Sequence, residues 1–185
     1  MSSIESYVKR GEDYPLTDKD MKDMTDSKYK IILYHDLEGY HSIDEVLGSN
    51  GGAILLFQNE SHDSGHWVSL FKRSSSNTIE FFDSYGLKPD QELKYAQYNI
   101  RIHDGKPVPH LSHLLEQSDY KVVYNKHKLQ KWRRDVSTCG RWSAYRLRHR
   151  DLTMDEFARL FTGNRHYEPD FWITVLTGHW NGFNS

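Results

Sequence analysis

The fold is decided by residues 53–83, where three apolar runs are separated by polar segments: Ala53-Ile-Leu-Leu-Phe57, His66-Trp-Val-Ser-Leu-Phe71 and Thr78-Ile-Glu-Phe-Phe82. The first run is continuously apolar, which is typical of a strand buried on both faces. The second run alternates with a period of two. A serine-rich polar turn at 72–77 joins it to the third run, so the pair predicts a β-hairpin.

Helical and shorter extended patterns flank this block on both sides. Residues 1–15 are polar and predict an N-terminal arm, and the whole chain, 1–185, is predicted to be a single domain of the α/β (α+β) class, with a mixed central sheet flanked by helices. Residues 30–34 predict a strand or a loop that enters the core, and residues 121–124 a short strand. Helices are predicted after the N-caps Thr17 and Ser42, over residues 154–161 with Thr153 as the N-cap, and over residues 89–97, 109–117, 139–149 and 171–176.

Composition excludes several classes of protein. Of the 185 residues, 37% are hydrophobic and 27% charged, which is an ordinary globular balance, and the net charge of −2 gives no global attraction for nucleic acid or an anionic membrane. The longest apolar runs are too short to span a bilayer, and no signal peptide is apparent. The chain has one cysteine, so it has no internal disulfide and no multi-cysteine zinc site, and a reducing compartment is expected.

That cysteine, Cys139, stands directly before the helical pattern Trp142-Ser-Ala-Tyr-Arg-Leu147. A thiol attacks as the thiolate, which a nearby imidazolium and a helix N-terminus both favour. Gly140 allows close backbone approach, and amides at the helix start can face a developing oxyanion. A buried structural cysteine explains this segment equally well.

The positions of His66 and Asp83 favour the interpretation of Cys139 as a nucleophile. His66 opens the first strand of the predicted hairpin, and Asp83 follows its second strand seventeen positions later. Because a hairpin returns the chain to its starting edge, the two side chains should meet at one end of the sheet. The carboxylate can then orient the imidazole and leave its other nitrogen for a thiol. This pairing singles out His66 among eleven histidines.

Three motifs in this order carry a family resemblance: Gly65-His-Trp-Val68, Phe82-Asp-Ser-Tyr-Gly86 and Thr138-Cys-Gly140. They resemble the adenovirus-type (adenain-like) maturation proteases and the SUMO-deconjugating proteases, over about residues 53–150. The size and the Cys-Gly-Arg-Trp continuation look most like the maturation proteases of virophages, large DNA viruses and Polinton-type elements. The resemblance implies a papain-like cysteine protease core of the adenain type.

The same resemblance implies a role for each site residue. His66 would be the general base, Asp83 the orienting acid and Cys139 the nucleophile. Trp67 would pack beside them and, with Gly140, contribute to substrate binding. A glutamine before the cysteine donates to the oxyanion in the family.

Gln130 is the glutamine in range for that role. It lies nine positions upstream of Cys139, farther than the family spacing, so residues 131–137 would have to bulge outward. Asp135 is the weaker substitute because a carboxylate repels an oxyanion.

The expected partners also follow from the resemblance. The substrate would be a capsid or scaffold precursor, cut near glycine, in the virion, the host cytoplasm or a viral factory. No cofactor, metal or membrane is expected, and the protein would be a monomer. With no second cysteine, a DNA or peptide activator would have to bind non-covalently. Two basic stretches, 126–134 and 141–150, are either a solvated face or a nucleic-acid surface.

Several alternatives stay open. A deconjugating protease for ubiquitin-like modifiers and an acyltransferase would use the same residues, and a non-enzymatic structural or nucleic-acid-binding module would only retain them. His62 with His66, and His110 with His113, have spacings that occur at metal sites. The first pair is predicted in a loop and a strand and the second lacks a third ligand, so no metal site is predicted.

Overall fold

The computed structural model describes residues 3–58, 65–94, 102–103, 106–163 and 166–180. His62 and part of the helix predicted over 89–97 lie outside these residues. The strands are β1 Lys30–Leu33, β2 Gly52–Gln58, β3 Gly65–Lys72, β4 Thr78–Phe82, β5 Ile102–His103, β6 Lys106–Pro107 and β7 Lys121–Tyr124. The α-helices are α1 Ser3–Asp13, α2 Asp18–Met24, α3 Ile43–Leu47, α4 His110–Glu116, α5 Cys139–Arg148, α6 Met154–Thr162 and α7 Pro169–Thr177.

The main sheet has five strands in the order β1-β2-β3-β4-β7. β1 is parallel to β2 and β7 is parallel to β4, whereas β2, β3 and β4 are antiparallel neighbours. β5 and β6 form a separate two-stranded ribbon. The predicted mixed sheet flanked by helices is therefore confirmed, and so is the hairpin of β3 and β4.

β2 is buried along both faces, as its unbroken apolar run predicts. Leu55 and Phe57 belong to a core shared with α3 and α4, whereas Ile54 and Leu56 belong to a second core shared with α2 and α5. A fully buried aliphatic or aromatic side chain contributes about 1.5–3 kcal/mol. Helices on both faces thus explain why this strand carries no polar alternation.

A buried ion pair joins α5 to the middle of the sheet. Arg146 donates from Nε to Glu80 Oε1 at 2.8 Å and from the guanidinium to Oε2 at 3.1 Å, and both side chains are almost fully buried. Arg73 donates to the same carboxylate at 2.7 Å. Because bidentate contacts fix orientation as well as distance, this pair sets how α5 lies on the sheet.

The N-terminal segment differs from the predicted arm at 1–15. Residues 3–13 form α1, which packs against α7 and buries Val8. Lys9 pairs with Asp135 at 2.5 Å, and the carbonyl of Glu12 accepts from the amide of Ser137. A polar sequence hid this helix because it buries only a narrow stripe and otherwise makes polar contacts with the segment before Cys139.

The predicted helix caps are confirmed, whereas one predicted helix is not. Thr17 and Thr153 each form a capping box, and the Ser42 side chain caps α3, as predicted. The prediction of a helix over 89–97 is wrong for the part that the structure describes. That part is one 3-10 turn, Gln91–Lys94, because Asp90 before it adopts a left-handed backbone conformation. Among the described residues, no helix has the length and apolar character needed to cross a membrane.

Candidate active site

A cavity of about 670 Å³ lies where the N-terminal segment, the start of β3 and the start of α5 meet. One wall comes from residues 15–18. The opposite side comes from residues 130–139, which carry Trp132, Arg133 and Arg134 at the rim and Cys139 at the base. His66 and Tyr85 also line the cavity.

The hairpin brings His66 and Asp83 together as the sequence predicts. Ser69 pairs with Phe82 across β3 and β4, so β3 continues past the last residue of β4 toward His66. His66 Nε2 and Asp83 Oδ2 lie 3.3 Å apart, and both side chains are buried. Because Nε2 faces the carboxylate, Nδ1 is the nitrogen left for a thiol.

Asp83 is itself held by the backbone around it. Its Oδ1 accepts from the amide of Tyr85 at 2.6 Å, and its carbonyl accepts from Asn125 Nδ2 at 2.6 Å. Asn125 is fully buried and also accepts from the amide of His127. Such outer contacts fix the carboxylate that in turn fixes the imidazole.

A second carboxylate, which the sequence analysis missed, also faces His66. Glu92 is buried, and its Oε2 lies 3.7 Å from His66 Nε2. Ligand atoms of His66, Asp83 and Glu92 lie within 4.8 Å of one another, a spacing that a metal site would also show. Because the protonated imidazole accounts for both carboxylates, we assign none of the three as a metal ligand.

These neighbours set the protonation of His66. Burial alone lowers the pKa of the imidazole, but the carboxylates of Glu92 and Asp83 and the hydrogen bonds with Asp83 and Cys139 outweigh it. The pKa of His66 therefore lies well above its ordinary value. The imidazolium form is favoured beside the Cys139 thiol.

Cys139 is the first residue of α5 and is buried at the base of the cavity. The preceding Thr138 does not cap the helix with its side chain, because its hydroxyl donates to Asp170 Oδ1 at 2.5 Å. Asp170 also accepts from Trp142 Nε1 at 3.0 Å and from the amide of Lys131 at 2.8 Å. The start of α5 is thereby fixed, while its first-turn amides keep no side-chain cap.

Gln130 lies in the same cavity with its amide already engaged. Its Nε2 donates to the Tyr85 hydroxyl at 3.1 Å and to the Val136 carbonyl at 3.2 Å, and its Oε1 accepts from Ser84 Oγ at 2.7 Å. The segment between Gln130 and Val136 forms a turn, which is the bulge that the long spacing predicts. The position fits the predicted oxyanion donor, whose role stays a prediction.

Tyr85 joins these groups by packing its ring on the histidine. The Tyr85 and His66 rings are stacked with centroids 4.9 Å apart, and Trp132 packs on the same tyrosine at 4.4 Å. Burial, followed by the charges of Cys139, Glu92 and Asp83, raises the pKa of the Tyr85 hydroxyl. Tyr85 is therefore a neutral hydrogen-bonding group. Its place in the quoted motif was the only sequence signal for it.

Of the two residues predicted to bind substrate, Trp67 lines the cavity and Gly140 does not. Trp67 shares a hydrophobic cluster with Cys139 and donates from Nε1 to the Leu16 carbonyl at 3.1 Å. A side chain at Gly140 would come within 3.1 Å of Leu16 and 3.0 Å of Met21. The glycine thus lets the N-terminal segment pack on α5, and its substrate contact stays a prediction.

One relative shares almost the entire chain. Uncharacterized protein V9 of Sputnik virophage is 40% identical over 173 residues, which cover 92% of this chain and 98% of V9. The chain belongs to the V9 family of virophage proteins. No protein-family profile matches it.

A solved structure gives the fold a counterpart. The crystal structure of the ASFV pS273R protease superposes with a TM-score of 0.50 at 15% identity, covering 91% of this chain and 68% of the protease chain. At that identity the likeness concerns the fold alone. The V9-family chain therefore has the fold of a viral protease.

Proposed function

We propose that this V9-family protein is a cysteine endopeptidase that processes capsid or scaffold precursors during virion maturation. One observation carries the proposal: buried His66 connects a carboxylate at Nε2 to the only cysteine of the chain, at the first residue of a helix that opens on a cavity. The viral-protease fold and the virophage relative support it.

In this mechanism His66 holds at Nδ1 the proton that the Cys139 thiol has given up, and the Cys139 sulfur attacks the scissile carbonyl carbon. Asp83 holds the imidazole through Nε2 and stabilises its positive charge. As the tetrahedral intermediate collapses, the imidazolium gives its proton to the leaving amine. A water molecule, activated by His66, then hydrolyses the Cys139 thioester and releases the acid product.

Oxyanion binding would use the amides at the start of α5 and the side chain of Gln130. The absence of a side-chain cap by Thr138 leaves those amides for the substrate. For Gln130 to donate to the oxyanion, it must exchange its bond with Tyr85 or Val136 for one with the substrate. Binding of the peptide would supply that exchange.

A cleavage assay tests this activity. Wild type and Cys139→Ala are incubated with the capsid and scaffold proteins encoded in the same genome, and the new N-termini are sequenced. We expect wild type alone to generate defined termini near glycine. Cleavage of ubiquitin-like C-terminal fusions with no cleavage of virion proteins would overturn the maturation role in favour of deconjugation. Acetyl-CoA-dependent labelling of a target would indicate an acyltransferase.

Nucleic acid as a non-covalent activator is part of the same proposal, and the two basic stretches differ in what they offer. In the second stretch Arg141 and Arg146 are fully buried and bond to other parts of the chain, so 126–134 presents the larger number of exposed cations of the two. Substituting Lys126, Arg133 and Arg134 with Glu should abolish salt-dependent DNA binding. No measurable binding of wild type at low salt would end the idea.

A further inference from the structure

We propose that Glu92 is a second acid of the active site, which shares with Asp83 the task of holding the His66 imidazolium. The inference rests on the proposed function, because it concerns the same histidine. Glu92 acts through His66 and touches no substrate, so it is a positioning residue. It makes the site a base between two acids, in place of a simple Cys-His-Asp triad.

The geometry places both carboxylates on the same nitrogen. Asp83 Oδ2 lies 3.3 Å and Glu92 Oε2 3.7 Å from His66 Nε2. All three side chains are at most 6% exposed, so water screens these charges poorly. The hydrogen bond of Nε2 is made with Asp83, whereas Glu92 contacts the same nitrogen as an ion pair. Neither contact is as short as an ordinary charge-assisted hydrogen bond.

The chain builds a rigid support for Glu92. The preceding Asp90 adopts a left-handed backbone, and its carboxylate accepts from the Tyr34 hydroxyl at 2.6 Å and from the amide of Ser112 at 2.7 Å. Gln91 Oε1 accepts from the amide of Lys88 at 3.0 Å. Two anchors immediately before Glu92 therefore fix the turn that aims it at His66, while Leu93 packs into the core.

The charge balance around His66 explains what the second acid does. Cys139 and the carboxylates of Asp83 and Glu92 face the imidazole from three different elements, and the Tyr85 ring covers one of its faces. Of the interactions that raise the pKa of His66, the charge of Glu92 is the largest. A second anion keeps His66 in the imidazolium form to higher pH than Asp83 alone would. Three further charged residues line the same cavity: Asp18, Arg133 and Arg134.

The test compares the pH dependence of peptide kcat/KM in wild type and Glu92→Gln, because hydrolysis needs the His66 imidazolium as proton donor and loses rate when that proton dissociates at alkaline pH. Removing one negative charge lowers the pKa of His66, so the alkaline limb should move to lower pH by about one unit or more. Glu92→Asp, which keeps the charge, should move it less. Lys94→Gln is the matched control, because it changes one exposed charge on the same turn and should leave the limb in place.

A second comparison separates sharing from mere proximity. If both carboxylates stabilise the same imidazolium, Asp83→Asn should retain part of the wild-type kcat/KM through Glu92. Adding Glu92→Gln to Asp83→Asn should then lower kcat/KM by a larger factor than adding Glu92→Gln to wild type. An alkaline limb at the wild-type position in folded Glu92→Gln overturns the inference. If Glu92→Gln does not fold, an unmoved limb in Glu92→Ala, which also removes the charge, does so.

The outcomes also distinguish the two proposals. If Cys139 is alkylated at the same rate in wild type and in His66→Gln, the proposed function itself is overturned. If that rate falls in His66→Gln but the alkaline limb of kcat/KM is the same in wild type and Glu92→Gln, only the role of the second acid is overturned.

Discussion

Two buried ionic clusters share neighbouring elements of this fold and are arranged as opposites. On β4 one acid, Glu80, lies between two bases, Arg73 and Arg146. At the end of the hairpin one base, His66, lies between two acids, Asp83 and Glu92. The first cluster joins α5 to the middle of the sheet, and the second borders the cavity at the start of α5.

The difference lies in how tightly each centre is held and whether it titrates. Glu80 receives four N–H groups at 2.7–3.1 Å from side chains that remain charged at all pH values relevant to proteins. His66 has contacts of 3.3 and 3.7 Å and a proton it can release. The Glu80 cluster, with its shorter contacts, positions α5. The His66 cluster, with its longer contacts, is suited to transferring protons at Cys139, the first residue of α5.

Breaking the titrating cluster should abolish activity and keep the fold. His66→Gln removes the base but leaves an amide donor for the carboxylates. Peptide hydrolysis should fall by roughly 10²–10⁴-fold, the size of a general acid–base contribution. Thermal unfolding, monitored by circular dichroism, should remain cooperative, with a lower midpoint because two buried carboxylates lose their cationic partner. A variant that keeps wild-type kcat would contradict the role of His66.

Breaking the tight cluster should do the reverse. Glu80→Gln leaves the buried Arg146 guanidinium without the carboxylate that compensates its charge, which costs about 3 kcal/mol or more. For a chain of this length the Tm should fall by roughly 10 °C. Below the new Tm, kcat per folded molecule should stay close to wild type. A large loss of kcat at unchanged Tm would show that the two clusters are not separate in function.

The oxyanion side of the cavity should respond more weakly. Gln130→Ala removes the predicted side-chain donor, so kcat should drop by about 10²-fold with little change in KM. A change confined to KM would assign Gln130 to ground-state binding instead. Steady-state kinetics on one peptide substrate decide between these results.

Tyr85→Phe should have the smallest effect of the series. It keeps the ring stacked on His66 and removes only the hydroxyl that accepts from Gln130. Losing one neutral hydrogen bond corresponds to roughly 1 kcal/mol, or a few-fold in kcat. A loss as large as that of Gln130→Ala would mean that the hydroxyl itself contacts the reacting carbonyl.

Local patterns were enough to predict the parts that depend on neighbouring residues. The hairpin and the meeting of His66 with Asp83 at one end of the sheet follow from strand periodicity and turn chemistry. The caps at Thr17 and Thr153 follow from residue spacing alone. Cys139 at the start of α5 was visible for the same reason.

Contacts between distant segments were invisible. Glu92 reaches His66 only because Asp90 is anchored by Tyr34, which lies 56 positions earlier in the chain. The helix α1 is polar in sequence, and it is held in place by polar contacts with residues 135–137. Asp170 fixes the start of α5 from another helix, 32 positions after Thr138. No periodic pattern encodes such pairs, because each partner looks ordinary in its own segment.

The most direct test of the central claim is the alkylation rate of Cys139 by iodoacetamide at pH 6 to 7. The chain has one cysteine, so every adduct reports on that thiol. Wild type should react at least about tenfold faster than free glutathione, as expected of a thiolate paired with an imidazolium, and His66→Gln should lose that excess. Equal rates in the two proteins, at or below that of the free thiol, would contradict a His66-activated nucleophile.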